Sequence, residues 1–452
     1  MPLRVRRIWC IAILFPLVVT VLLAGGCGND PEVANGDRVG REGSSPGSAP
    51  TPPTGGFETP VASIQQVAIA DIEEVALSPL WQKEFDDVVT ASVSSRGDFI
   101  AALSYFGWGS WERIGVDIYR RDGETVANNI RWYKSTYRNG WAKWGSTNDL
   151  LMVYMNNYQT DGRFYIYDTA GQQQWSYFVD GSASAHMTAD GSRIALINDS
   201  KGRLHLLNGD GERLAFHYIE RGASGQFSAN GERLAVIGDQ QVQGFDSDGN
   251  KSSVYSVPEV DRLDVRLSPD ARTIAATTGS SDSRLYLFDL ATGEAISSHL
   301  LLPGGSSRLR FSDDSTSLLV YNVGSSAGVS LYDLTDKPRL LWRRSLAAVH
   351  KGRAQETKAA WISKDVGRIV AHYVESYSRD SEYVEDNWLL VFDLDGNPLH
   401  RMYLGENTDI ALSSDLTTLA TTANNPIDRI GYVHNDLMVY DLTPLLQPED
   451  PE

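Results

Sequence analysis

The chain has 452 residues, 42% apolar and 10% aromatic, enough to bury a large core, so neither a disordered chain nor a disulfide-stapled mini-protein is expected. With 58 acidic against 40 basic residues the net charge is −18, which repels phosphate backbones and argues against nucleic acid as a partner. Two cysteines exclude a disulfide framework and a thiolate zinc site.

Residues 1–26 read as an export signal. Arg4, Arg6 and Arg7 form a positive head, and the apolar run from Ile8 to Leu23 is 16 residues long. That is short of the roughly 20 that span a bilayer as a helix. The run ends in Leu23-Ala24-Gly25-Gly26-Cys27. This resembles the lipobox of bacterial lipoproteins, in which a signal peptidase cuts before a cysteine acylated on sulfur. The usual leucine three residues before the cysteine is Ala24 here, with Leu23 one further back. The resemblance implies lipidation at Cys27. That cysteine would be the only one left after cleavage, so it has no disulfide partner. An ordinary cleaved signal or an uncleaved anchor helix is the other reading. The implied location is the bacterial cell envelope, lipid-anchored and facing the periplasm or exterior. Gly28 is compatible with outer-membrane sorting, which is favoured over the inner membrane. Residues 27–60 carry the anchor and a tether rich in Gly, Ser, Pro and Thr, with little to bury.

From about residue 85 one unit recurs: an alternating apolar strand, small polar residues with a tight turn, and a second apolar strand. Copies are SVSSRGDFIAAL (92–103), HMTADGSRIALI (186–197), QFSANGERLAVI (226–237), RLSPDARTIAAT (266–277), RFSDDSTSLLVY (310–321), WISKDVGRIVAH (361–372) and ALSSDLTTLATT (411–422). A degenerate copy, KWGSTNDLLMVY (143–154), fills the one large gap, giving eight at 40–51 residue spacing. A third strand follows each, ending in an aromatic and usually Asp, as in FYIYDTAG (164–171) and LLVFDLDG (389–396). A short fourth strand follows most of them. Four short strands per 40–45 residues is the repeat of β-propeller blades. The expected fold is therefore all-β, a single propeller over 61–445 with a tail at 446–452. Eight blades are expected, with seven the alternative. SPLWQKEFDD (78–87) matches the fourth strands and is expected to complete the last blade, closing the ring.

The units resemble degenerate WD-repeat and quinoprotein-type propellers. The tryptophans of fourth strands, Trp81, Trp175 and Trp342, are similar to the quinoprotein-like tryptophan, while the Gly-His and Trp-Asp dipeptides of true WD repeats are absent. A lipid-anchored eight-bladed propeller also resembles the lipoprotein of the Gram-negative outer-membrane β-barrel assembly machine. These resemblances imply architecture rather than activity.

Motifs for chemistry are sparse. The aspartates after third strands, among them Asp168, Asp246, Asp289, Asp333, Asp393 and Asp441, recur once per blade and read as turn caps. Gly324-Ser325-Ser326-Ala327-Gly328 fits G-x-S-x-G but precedes a strand, not a helix. The eight histidines show no metal-ligand spacing. No catalytic residue, metal site or cofactor is expected. Glu375, Asp380, Glu382, Glu385 and Asp386 are read as a solvated acidic loop rather than a calcium site.

Aromatic residues carry more. Trp108, Trp111, Trp132, Trp141 and Trp144 fall within 37 residues of a chain with eleven tryptophans. Trp108 and Trp111 lie between the second and third strands of blade one, and Trp132 and Tyr137 in the link to blade two. Long second-to-third-strand loops recur at 375–387 and 423–435. Blades seven, eight, one and two thus place long aromatic loops on half of one face, while Trp141 and Trp144 are expected to pack between blades. Trp108, Trp111, Trp132, Tyr137, Tyr158, Tyr377, Tyr383 and Tyr432 are the candidate contacts for a protein partner in the cell envelope. The expected function is noncatalytic binding or assembly. The alternative is a carbohydrate-binding protein or a propeller enzyme, with its site on the same face or in the axial funnel and a glycan stacked on tandem aromatics.

Overall fold

The computed structural model describes residues 64–447, apart from short stretches at 86–88, 107–112, 134–138, 146–148, 157–161, 239–240, 257–261, 279–282, 293, 302–305, 324–326, 351–352, 380–381 and 425–434. Cys27, Trp108, Trp111, Tyr137, Tyr158 and Tyr432 lie outside the described residues.

Each repeat copy forms the first two strands of an antiparallel sheet, and its third position sets the turn. In six copies a hydroxyl there accepts the N–H five residues on, as from Phe99 to Ser94 at 3.0 Å, Arg193 to Thr188 at 3.0 Å and Thr418 to Ser413 at 2.9 Å. The degenerate copy has Gly145 instead, and Ser363 of blade seven accepts from Val366. Two residues further, an acid accepts from that hydroxyl, as Asp270 does from Ser268 and Asp314 from Ser312, both at 2.6 Å. The turn then passes through the left-handed region, at Gly97, Gly191 and Gly231 in three blades but at Ala271, Ser315 and Leu416 in three others. Leu416 offsets that strain by burying its side chain between blades. At the next turn each third-strand aspartate accepts a backbone N–H, as Asp168 does from Gln172 (2.8 Å), Asp246 from Asn250 (2.7 Å) and Asp441 from Thr443 (2.9 Å). These acids are caps.

Eight such sheets form an eight-bladed propeller: 89–133, 139–179, 184–218, 224–256, 262–300, 306–347, 354–406 and 408–441. The degenerate copy at 143–154 is a full blade. Blade eight takes its fourth strand from Trp81–Phe85, which pairs antiparallel with Asn435–Asp441 from Trp81↔Val439 to Phe85↔Asn435. Eight apolar clusters fill the eight seams between neighbouring blades. One of them joins Phe85, Leu437 and Val439 of blade eight to Ile100 and Tyr119 of blade one, which makes the ring continuous.

The fourth-strand tryptophans pin one blade to the next. Their indole N–H groups donate across the seam: Trp81 to the Arg121 carbonyl (2.8 Å), Trp175 to Gly209 (2.7 Å) and Trp342 to Leu394 (2.8 Å). Each ring lies flat on a turn glycine of the next blade. A Cβ at Gly123, Gly211 or Gly396 would sit 2.9, 2.6 or 2.5 Å from ring carbons, so nothing larger fits.

Residues 64–80 do something the repeat pattern does not announce. Gln65–Ala68 adds a parallel fifth strand to the outside of blade six, and Glu73–Glu74 does so on blade seven. Between them Ile69 is fully buried, with Val67 and Ile72, in the seam of blades six and seven. Arg401 clasps the crossing, donating to the Ile69 carbonyl (3.0 Å) and pairing with Glu74 (3.0 Å). The chain therefore straps blades six, seven and eight before it begins blade one.

Candidate functional site

In an antiparallel meander the first and third turns of each blade emerge at one end. The second-to-third-strand connections and the links between blades emerge at the other. On that second end, blade seven departs from expectation. Residues 375–387 are not a loop. The second and third strands run Arg368–Arg379 and Glu382–Asp393, 12 residues each, and pair as far as Arg379↔Glu382. The corresponding strands of blade three have six residues. Two-residue alternation continues through the charged stretch, and charges that find partners, as the buried Glu375 and Asp386 do, leave the ladder unbroken.

Ion pairs brace the base of this hairpin. Arg353 bridges the carboxylates of Asp386 and Glu375, the latter at 3.8 Å, and stacks its guanidinium 3.6 Å from the centre of the Tyr377 ring. Glu375 is fully buried and also accepts from His350 Nδ1 (3.1 Å), the Tyr373 hydroxyl (3.2 Å) and the Val349 N–H. Lys358 pairs with Glu385. Arg379 grips Glu406 through both nitrogens at 2.8 and 2.7 Å, which holds the Glu406 carboxyl below the usual carboxylate range. The Tyr403 hydroxyl donates to Asp386 (3.1 Å), and its phenol is pushed up first by burial and then by that carboxylate. Glu375, Glu385 and Asp386 are thus not part of a solvated loop: each is paired with a side-chain cation. Asp380 and the Glu382 side chain lie outside the described residues. Among the described residues no three His, Cys, Asp or Glu gather to hold a metal ion.

On this platform Tyr383 stands out, 66% exposed, opposite Ser378, while Tyr377 is half-buried beneath Arg353. Trp132 is elsewhere. It sits on the fourth strand of blade one, half-buried, its ring 5.3 Å from Tyr165 and 6.2 Å from Tyr167 across the seam to blade two. Trp144 is buried against Phe99 at 5.8 Å, and Trp141 packs on Tyr154 and Phe164. Sequence reasoning missed Arg353 and Tyr403, which lie 33 and 17 residues from Asp386 with no local pattern to join them. It also missed the exposed aromatics on outermost strands, Phe178, Phe216 and Tyr218.

Behind the hairpin, His372 is 3% exposed and bonds through Nε2 to Asn387 Oδ1 (2.8 Å). Burial lowers its pKa to about 4, the Asn387 bond opposing this only in part. Between about pH 6.5 and 4 the unfolded chain therefore binds a proton that the folded one does not. Stability falls as pH drops through that window, by up to about 1.4 kcal/mol per pH unit for this residue. Thermal midpoints measured from pH 7 to 4 should decline, and His372→Gln should flatten the curve. An unchanged slope in the variant would remove His372 as its source.

At the opposite end the first strands of all eight blades surround an axial cavity of about 830 Å³. Turn residues Ser95, Ala189, Ala229, Pro269, Asp313 and Ser414 line it, so it opens on the short-turn face, away from the blade-seven hairpin.

Residues 160–380, from the third strand of blade two to the tip of the blade-seven hairpin, match the family described as outer membrane protein assembly factor BamB. No curated protein matches the sequence. Among solved structures the fold is similar to the C-terminal WD40 domain of Sif2, with a TM-score of 0.56 at 11% identity, covering 81% of this chain and 98% of that one. It is also similar to the Dos1 propeller, with a TM-score of 0.50 at 15% identity, covering 81% and 96%. Repeats, blades and matches fit a degenerate WD-repeat or quinoprotein-like propeller.

Proposed function

We propose that the chain is a binding or assembly scaffold for proteins of the bacterial cell envelope, presented on the tether and held to the membrane by lipid at Cys27. The observation that carries this reading is the blade-seven hairpin. A strand pair twice the usual length is expensive to hold rigid in solvent, yet here a network of arginines and carboxylates fixes it and leaves Tyr383 facing outward. Rigid, exposed tyrosine beside arginine is the composition that concentrates binding energy at protein interfaces. The match to an outer-membrane assembly factor supports the same class of role, and no helix among the described residues is long and apolar enough to cross a membrane. Trp108, Trp111, Tyr137 and Tyr432 belong to loops assigned by sequence to the same face and are proposed as its remaining contacts. Tyr158 and Trp132 are proposed as contacts at its margin, toward blade two.

A photo-crosslinking residue at position 383 in whole cells tests this. Discrete protein adducts are expected there and not from position 212, on the short-turn face. They should be lost when Trp108 and Trp111 are both replaced by alanine. Adducts equal at both positions, or absent at 383, would defeat the reading.

A further inference from the structure

The first residue of each repeat copy points to the propeller axis. Around the ring these residues are Ser92, Lys143, His186, Gln226, Arg266, Arg310, Trp361 and Ala411, and all eight line the cavity. Three cations and a histidine thus converge in the middle of a chain whose net charge is −18. Their partners are too few. Arg266 pairs with Asp264 at 3.2 Å, and Asp264 also accepts the Leu309 N–H (2.9 Å). Asp313 lies at the turn end near Arg310. Among the described residues no carboxylate comes within 4.0 Å of Lys143 or Arg310, although Arg310 rests 5.7 Å from the Trp361 ring. His186 has a buried Nε2 with no hydrogen-bond partner. Gln226 is used structurally, bonding both ways to the Leu267 backbone at 3.0 Å.

Lys143 is exposed and Arg310 half-buried on the wall of the open cavity, so solvent rather than a carboxylate faces them. The cations also oppose one another. Lys143 is lowered first by desolvation within the cavity and then by Arg310 and Arg266, while His186 is lowered to about 3 first by burial and then by Lys143 and Arg266. Burial, then the neighbouring acids Asp365 and Asp314, raises Asp313, with Arg310 opposing. These groups remain open to the cavity, whose volume suits a small molecule and whose walls focus the positive field.

We infer that the axial cavity is a binding site for a small oxyanion carrying at least two negative charges, held by Lys143 and Arg310 with Arg266 and His186 alongside. Its ligand groups would be phosphoryl or carboxylate oxygens, which accept from ammonium and guanidinium donors at once. The site lies on the face opposite the hairpin, so it is independent of the protein-binding reading.

Calorimetric titration and thermal melting of the purified full chain with pyrophosphate and with citrate, against chloride at equal ionic strength, test it. At least one polyanion should bind and raise the melting temperature of the wild type. In Lys143→Met/Arg310→Met the affinity should fall at least tenfold, and the ligand-free variant should melt no lower than the wild type, because two unpaired cations are gone. The stronger ligand assigns phosphoryl or carboxylate chemistry to the site. The inference is overturned if neither anion outperforms chloride, if the variant binds as the wild type does, or if the ligand-free variant melts lower, which would make the cations structural.

Discussion

Deleting Trp81–Phe85 should abolish cooperative folding of the propeller, and Trp81→Ala should lower stability by about 3 kcal/mol, toward the lower end of what tryptophan-to-alanine changes cost. The segment supplies blade eight with its fourth strand through five paired residues. It also supplies Phe85 to the closing seam, the indole bond to Arg121, and a bond from Lys83 Nζ to the Tyr119 hydroxyl at 2.7 Å. Without it the strand Asn435–Asp441 presents a bare edge, and the seam between blades eight and one loses one wall. Two such aromatic losses together approach the whole stability of an ordinary domain, about 5–15 kcal/mol. Denaturant and thermal unfolding of the point variant and the deletion, with deletion of residues 64–74 as the comparison, check this. The strap deletion removes the two outer parallel strands and Ile69 but leaves the ring closed, so it should melt cooperatively at a lower temperature. A Trp81–Phe85 deletion that melts cooperatively within a few degrees of wild type would refute closure as the source of stability.

The reason this strand was legible in the sequence also explains what was not. SPLWQKEFDD shares the Trp-centred pattern of other fourth strands, and its tryptophan lies on Gly123 as Trp175 lies on Gly211 and Trp342 on Gly396. Repetition made blades, turns and ring visible, because Ser94, Thr188 and Ser413 solve the same turn in the same way. Repetition also hides whatever happens once. The strap pairs only four and two residues, in parallel, with strands about 280 and 330 residues away, and no local pattern encodes that. Residues 375–387 looked like a loop because charge was counted and alternation was not. Glu375 looked like a free acid because its partner Arg353 sits in a different strand connection. The axial cations and the histidine among them stood in one column of the repeat, at Lys143, Arg266 and Arg310 with His186. Their convergence follows only once eight first strands are known to face a common axis.

Arg353→Met should be the most damaging single change in blade seven, destabilising by about 3–5 kcal/mol, the usual result of removing one member of a buried ionic cluster. The methionine keeps the aliphatic stem but leaves Glu375, fully buried, and Asp386, 6% exposed, without their guanidinium. Tyr377 loses the cation on its ring at the same time. His350 is half exposed and reaches only Glu375, so it does not substitute at Asp386. If unpaired charge is the cause, Arg353→Met/Glu375→Gln/Asp386→Asn should recover most of the loss, since neutral amides leave no charge uncompensated. If lost packing is the cause, the triple variant should be no better than the single one. Thermal unfolding of the three proteins decides between them. The same series bears on function: in the single variant the hairpin loses its brace while Tyr383 is untouched, so crosslinking from position 383 should weaken in Arg353→Met and return in the triple variant. A surface that bound partners through Tyr383 alone, without the rigid platform beneath it, would give equal adducts in all three.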